Sequence, residues 1–123
     1  MAETDPAYGD RIERLADEAV ATRESLDPDP PDDDRAMELL REGLGPTVAL
    51  YCEARTGGTM VRFSEREFER LQGALNEWLV AYAACYGADI QADFTIRKAA
   101  ELLIETHNIR DVAQLLTDVP ERR

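Results

Sequence analysis

One apolar stripe constrains this chain more than any other feature. Between Ser64 and Gly87, the residues Phe68, Leu71, Leu75, Trp78, Leu79, Tyr82, Cys85 and Tyr86 recur at helical spacing. Five turns of unbroken apolar face cannot be left in water, so the segment must be a long helix with the rest of the chain packed along it. Both ends are marked. Ser64-Glu65-Arg66-Glu67 is a capping box, in which Ser64 accepts from the backbone of Glu67 while Glu67 reaches back. Gly87 supplies the stop. Gly73, inside the helix, is a costly choice relative to alanine and points to close packing by a neighbour.

The flanking segments are shorter. Ile12, Leu15, Ala16, Ala19 and Val20 place a helix over 8–26, behind seven N-terminal residues expected to be disordered. The run Asp27-Pro28-Asp29-Pro30-Pro31-Asp32-Asp33-Asp34 then breaks the pattern, because prolines remove donors and clustered aspartates repel. It reads as an acidic linker over 27–34, leading into a helical core domain over 35–119. Its last aspartates offer an N-cap to a short helix carrying Ala36, Met37, Leu39, Leu40 and Leu44, which Gly43, Gly45 and Pro46 should end. Residues 46–63 admit two readings. Pro46 before and Gly57 after suit a short buried helix, whereas Gly57-Gly58 would also join strands at Val48–Glu53 and Thr59–Phe63. The helix is preferred, since a lone hairpin is marginal. Asp93 or Thr95 caps a helix with Ile96, Ala99, Ala100, Leu103 and Ile104, and Asn108 caps a last one with Ile109, Val112, Ala113, Leu115 and Leu116. Pro120 should close the ordered part. The expected fold is mainly α, a compact single-domain bundle of five or six helices around the long central helix, with one β-hairpin as the alternative at 46–63.

Composition speaks to environment more than to chemistry. A single lysine, Lys98, stands among 14 basic residues against 26 acidic ones, for a net charge of -12. An acidic surface whose cations are arginines is a halophilic pattern. At about 1 M salt the screening length falls to about 3 Å, so self-repulsion largely vanishes and folding should be salt-assisted. Nucleic acid is disfavoured as a partner by the same charge. Cys52 and Cys85 lie in apolar stretches, and neither a membrane-length apolar segment nor a basic-then-apolar leader is visible, so a reduced, cytoplasmic setting is expected.

The chain carries few groups suited to catalysis. His107 is the only histidine, placed at a helix end where capping suits it, and the only serines are Ser25 and Ser64. A structural zinc site needs four Cys or His ligands, more than the chain contains. A di-iron bundle needs Glu-x-x-His, yet Ile104 stands three before His107. The two cysteines lack a basic cluster, and Gly57-Gly58 lacks the spacing and lysine of a phosphate loop. No catalytic residue, cofactor or metal is therefore expected, nor an enzyme.

Thr95 to Leu116 has the outline of a helix-turn-helix. Arg97, Ala100, Leu103, Ile109, Val112 and Leu116 are similar in spacing to one segment of the tyrosine recombinases. That family's histidine three before the arginine is Phe94 here, and no tyrosine nucleophile follows. Over Leu39 to Pro120 the chain resembles small acidic haloarchaeal proteins of unknown function. The stretches that carry this are Glu53-Ala54-Arg55-Thr56-Gly57-Gly58, Ala74-Leu75-Asn76-Glu77-Trp78-Leu79 and Glu105-Thr106-His107-Asn108-Ile109-Arg110-Asp111-Val112. The resemblance implies an uncharacterised domain and no active site. The leading expectation is a non-enzymatic interaction or regulatory module, with a protein partner or self-association and with His107, Asn108 and Arg110 as candidate contacts. The alternative is a nucleic-acid-binding regulator using the helix pair at 95–117.

Overall fold

The capping box forms as the sequence requires, and the bundle is organised around the helix it starts. Glu67 donates its N–H to Ser64 Oγ at 3.1 Å, and Ser64 N–H donates to Glu67 Oε1 at 2.9 Å. The computed structural model describes residues 6–26, 32–56 and 63–119. Its elements are α1 (Pro6–Ser25), α2 (Asp33–Leu39), a π-helical turn (Leu40–Leu44), α3 (Gly45–Thr56), α4 (Glu65–Ala84), α5 (Ile96–Thr106) and α6 (Ile109–Thr117). Since α2, the π turn and α3 are one continuous rod, the described residues make five helical rods and no strand. Gly57-Gly58 and Pro120 lie outside them.

The α4 stripe buries Leu71, Leu75, Trp78, Leu79 and Tyr82, with Cys85 just beyond it, while Phe68 and Tyr86 are half-buried at its edges. The last turn ends as Ala88 N–H donates to Ala83 O at 3.0 Å, with Gly87 at a positive φ of 77°. Against this stripe α1 lays Ile12, Leu15, Ala16 and Ala19, so the first helix packs on its own chain. Ion pairs clamp the two together: Arg70 reaches both Glu13 (2.8 Å) and Asp17 (3.2 Å), and Arg23 pairs with Glu77. Pairing of residues 13 and 17 with 70, and of 23 with 77, shows that α1 and α4 run parallel. Arg11 and Tyr8 extend the attachment to Glu53 of α3.

The rod runs antiparallel to α4. Asp32 caps α2, accepting from Arg35 N–H, and its own N–H donates to Cys85 O at 2.7 Å. Asp33 and Asp34 therefore belong to the first turn of α2. Gly43, Gly45 and Pro46 do not end the helix. Gly43 is buried against Trp78, where an added Cβ would sit 2.5 Å from the indole ring, so its function is close approach. Gly45 N–H reaches back five residues to Leu40 O, and this wide turn leads into α3 with Pro46 at its start. Buried Thr47 donates its hydroxyl to Gly43 O at 2.8 Å across the junction. The hairpin reading of 46–63 is excluded, because its first strand, Val48–Glu53, is helical. Gly73 is the opposite of what its position suggests. It is exposed, and a Cβ there would meet nothing within 4 Å.

From Gly87 the chain returns along α4. Asn76 holds it at Phe94, accepting from its N–H at 2.8 Å and donating to its carbonyl at 2.9 Å, and Gln72 accepts from Ile96 N–H. These clamps set where α5 begins. At the far end Tyr82 donates its buried hydroxyl to Val119 O at 2.7 Å, fixing the chain after α6.

Candidate functional site

The candidate residues lie where α5 reverses into α6, and local hydrogen bonding explains the shape of that reversal. Thr95 caps α5, accepting from Lys98 N–H. At the other end the Thr106 hydroxyl donates to Leu102 O at 2.8 Å and accepts from Asn108 N–H at 3.2 Å. His107 adopts the left-handed conformation, φ 54° and ψ 26°, and its N–H donates to Leu103 O at 2.7 Å. Asn108 then caps α6, its side-chain oxygen accepting from Arg110 and Asp111 N–H groups. Two residues thus turn the chain. The capping role of His107 is made by its backbone; its exposed imidazole makes no hydrogen bond with a described residue.

Arg110 projects from the first turn of α6 into solvent and forms no ion pair among the described residues, neither with Glu105 nor with Asp111. Its charge is felt inside the bundle all the same. Burial raises the Tyr82 phenol above its ordinary range, and contact with Tyr86 and the charge of Arg110 work against that rise. Beside the turn, Thr106, Asp111, Gln114 and Leu115 line a shallow depression of about 190 Å³.

Two residues missed in the sequence complete the picture. Ile104 and Leu115 read as core positions, yet they are 61% and 44% exposed, and they are the large hydrophobic side chains left in solvent among the described residues. One sits on each helix of the hairpin. Their signal in sequence was obscured because both adjoin a helix's apolar stripe, and only the neighbouring elements decide where burial ends.

The hairpin is also locally neutral. Over residues 95–117 the cations Arg97, Lys98 and Arg110 are matched in number by Glu101, Glu105 and Asp111. The net charge of -12 therefore resides elsewhere in the chain. Arg97 is turned to Glu101 at 3.5 Å, so part of the positive charge is met within α5.

Elsewhere the described residues hold no group of three His, Cys, Asp or Glu side chains placed to bind a metal ion. Burial pushes the Cys52 and Cys85 thiols above their usual range, which favours the protonated form over the thiolate. Among the described residues no helix is long and apolar enough to cross a membrane.

A family model described as Domain of unknown function (DUF8055) matches residues 6–121. The chain belongs to that family. No curated protein and no solved structure matches it. The DUF8055 match begins where α1 begins and continues beyond α6, so the first helix and the α5–α6 hairpin fall within one family unit.

Proposed function

We propose that this protein is a non-enzymatic interaction module and that the α5–α6 hairpin is its recognition surface. The observation that carries the reading is the coincidence, on one hairpin, of exposed Ile104 and Leu115 with a locally neutral charge in an otherwise acidic chain. Apolar side chains rimmed by polar and charged groups are what a protein interface desolvates. Arg110 and the His107 imidazole are exposed on the same hairpin, with their donors uncommitted to the described residues. The rival use, nucleic-acid reading by the same two helices, draws no support from a hairpin whose cations and carboxylates balance.

The test is affinity capture at multimolar KCl, with the parent chain, Arg110→Ala and the double variant Ile104→Glu, Leu115→Glu as baits, and with both protein and nucleic acid identified. Proteins held by the parent should be lost from the double variant and reduced on Arg110→Ala, while all three baits melt at similar temperatures. A double variant that retains every protein the parent holds refutes the assignment of the surface. Recovery of nucleic acid that is lost on Arg110→Ala would favour the rival.

A further inference from the structure

We infer that the α5–α6 hairpin docks onto a second copy of this chain, forming a two-fold dimer; the inference rests on the reading of the hairpin as an interaction surface and names its partner. Charge supplies the argument. Two copies carrying -12 each repel wherever acidic faces meet, and residues 95–117 are a stretch in which cations and carboxylates are equal in number and which also leaves Ile104 and Leu115 exposed. A basic partner would be drawn to the acidic remainder of the bundle and would gain nothing from this neutral hairpin.

Within the hairpin the pattern suits self-recognition. Arg97 is occupied by Glu101. This leaves Lys98 and Arg110 as cations, and Glu105 and Asp111 as carboxylates, all exposed and none in an ion pair with a described residue. In a two-fold contact every cation of one copy that meets a carboxylate of the other is repeated by symmetry, so equal numbers of each sign satisfy the interface without any other molecule. Ile104 and Leu115 provide the apolar area that such a contact removes from water. The remaining acidic surfaces still oppose association through long-range repulsion, which salt screens. The dimer therefore tightens as KCl rises, the reverse of a complex steered together by opposite net charges.

Sedimentation equilibrium of the full chain at about 0.5 and 2 M KCl, spanning screening lengths of several ångströms down to about 3 Å or less, tests this directly. The parent should dimerise, more tightly at the higher salt. Ile104→Glu or Leu115→Glu should weaken the dimer by about thirtyfold or more, as loss of a central apolar contact does. Two charge-reversed chains, Lys98→Glu with Arg110→Glu and Glu105→Arg with Asp111→Arg, should each be monomeric alone and should dimerise when mixed. Circular dichroism checks that every variant is folded, with Ile104→Ser and Leu115→Ser replacing any that is not. A parent that is monomeric at both salts overturns the inference, while the capture experiment above separately decides whether the hairpin serves another protein. A dimer that loosens with salt, ignores the substitutions at Ile104 and Leu115, or is not restored by mixing overturns it equally.

Discussion

Replacing Gly43 and Gly73 by alanine, one at a time, should move stability in opposite directions. Both glycines are helical and neither has a positive φ. Intrinsic preference alone would therefore favour alanine at each by about 1 kcal/mol. At Gly73 nothing opposes that gain, because an added Cβ finds no atom within 4 Å and points into the open groove between α1 and α4. Gly73→Ala should raise stability by about 0.5–1 kcal/mol, or roughly 4 °C in melting temperature for a domain of this size. Gly43 meets the rigid face of Trp78, with three ring atoms 2.5–2.6 Å from the new Cβ. The indole is buried and has no flexible end to move aside. Three rigid atoms that close put the cost at the upper end of the usual overpacking range, about 3 kcal/mol, so after the helical gain a net loss of about 2 kcal/mol remains. Thermal melts at one salt concentration, followed by helical circular dichroism, measure both. Shifts of the same sign, or a neutral Gly43→Ala, would refute the argument that tertiary contact rather than local propensity governs these positions.

Trp78→Ala should cost on the order of 3–5 kcal/mol, since the side chain is only 3% exposed and packs on the π turn; a mutant melting within a few degrees of the parent would contradict that burial. The -12 charge should make melting temperature rise from about 0.1 to 3 M KCl, where screening lengths fall from about 10 Å to below 3 Å, and a flat profile would remove the electrostatic explanation. Hydrogen bonding from Arg70 holds the Glu13 carboxyl below its usual range. The unfolded chain then binds that proton first, so this contribution is present above the ordinary carboxylate range and is lost as pH falls through the lowered value. Because the pair is exposed, the effect is small. In high salt the gap in melting temperature between parent and Arg70→Gln should be open at pH 7 and should close as pH falls through the lowered value, below the ordinary carboxylate range, and a gap independent of pH would exclude this linkage.

Local chemistry made much of the fold legible. The box at Ser64, the cap at Asn108 and the stop at Gly87 each depend on hydrogen bonds within a few residues, and each forms as the sequence indicates. What depends on distant neighbours was not legible. Gly43-Leu44-Gly45-Pro46 has the composition of a break, yet the helix continues, because Trp78, 35 positions on from Gly43, fills the space a side chain would need. Gly73 looked like a packing glycine for want of the same information. At the hairpin the sequence located the turn residues His107 and Asn108 and the exposed Arg110 that follows them, but Ile104 and Leu115 share the periodicity of buried residues. Periodicity states which side of a helix is apolar; it does not state how far the neighbouring helices reach around it.

The wide turn at Leu40–Leu44 has a genetic corollary. A one-residue deletion within a regular helix rotates everything beyond it by about 100°, which in α4 would carry half of the apolar stripe out of the core. Within Leu40–Leu44 the same deletion has somewhere to go, since the turn already holds a surplus residue and can close to ordinary α pitch. Pro46 stands in the way: inside a regular helix it clashes with the carbonyl four residues earlier, at a cost of about 3 kcal/mol. Surplus residue and proline therefore depend on each other. A lineage of such chains should keep both or have lost both, and should seldom be found with one alone.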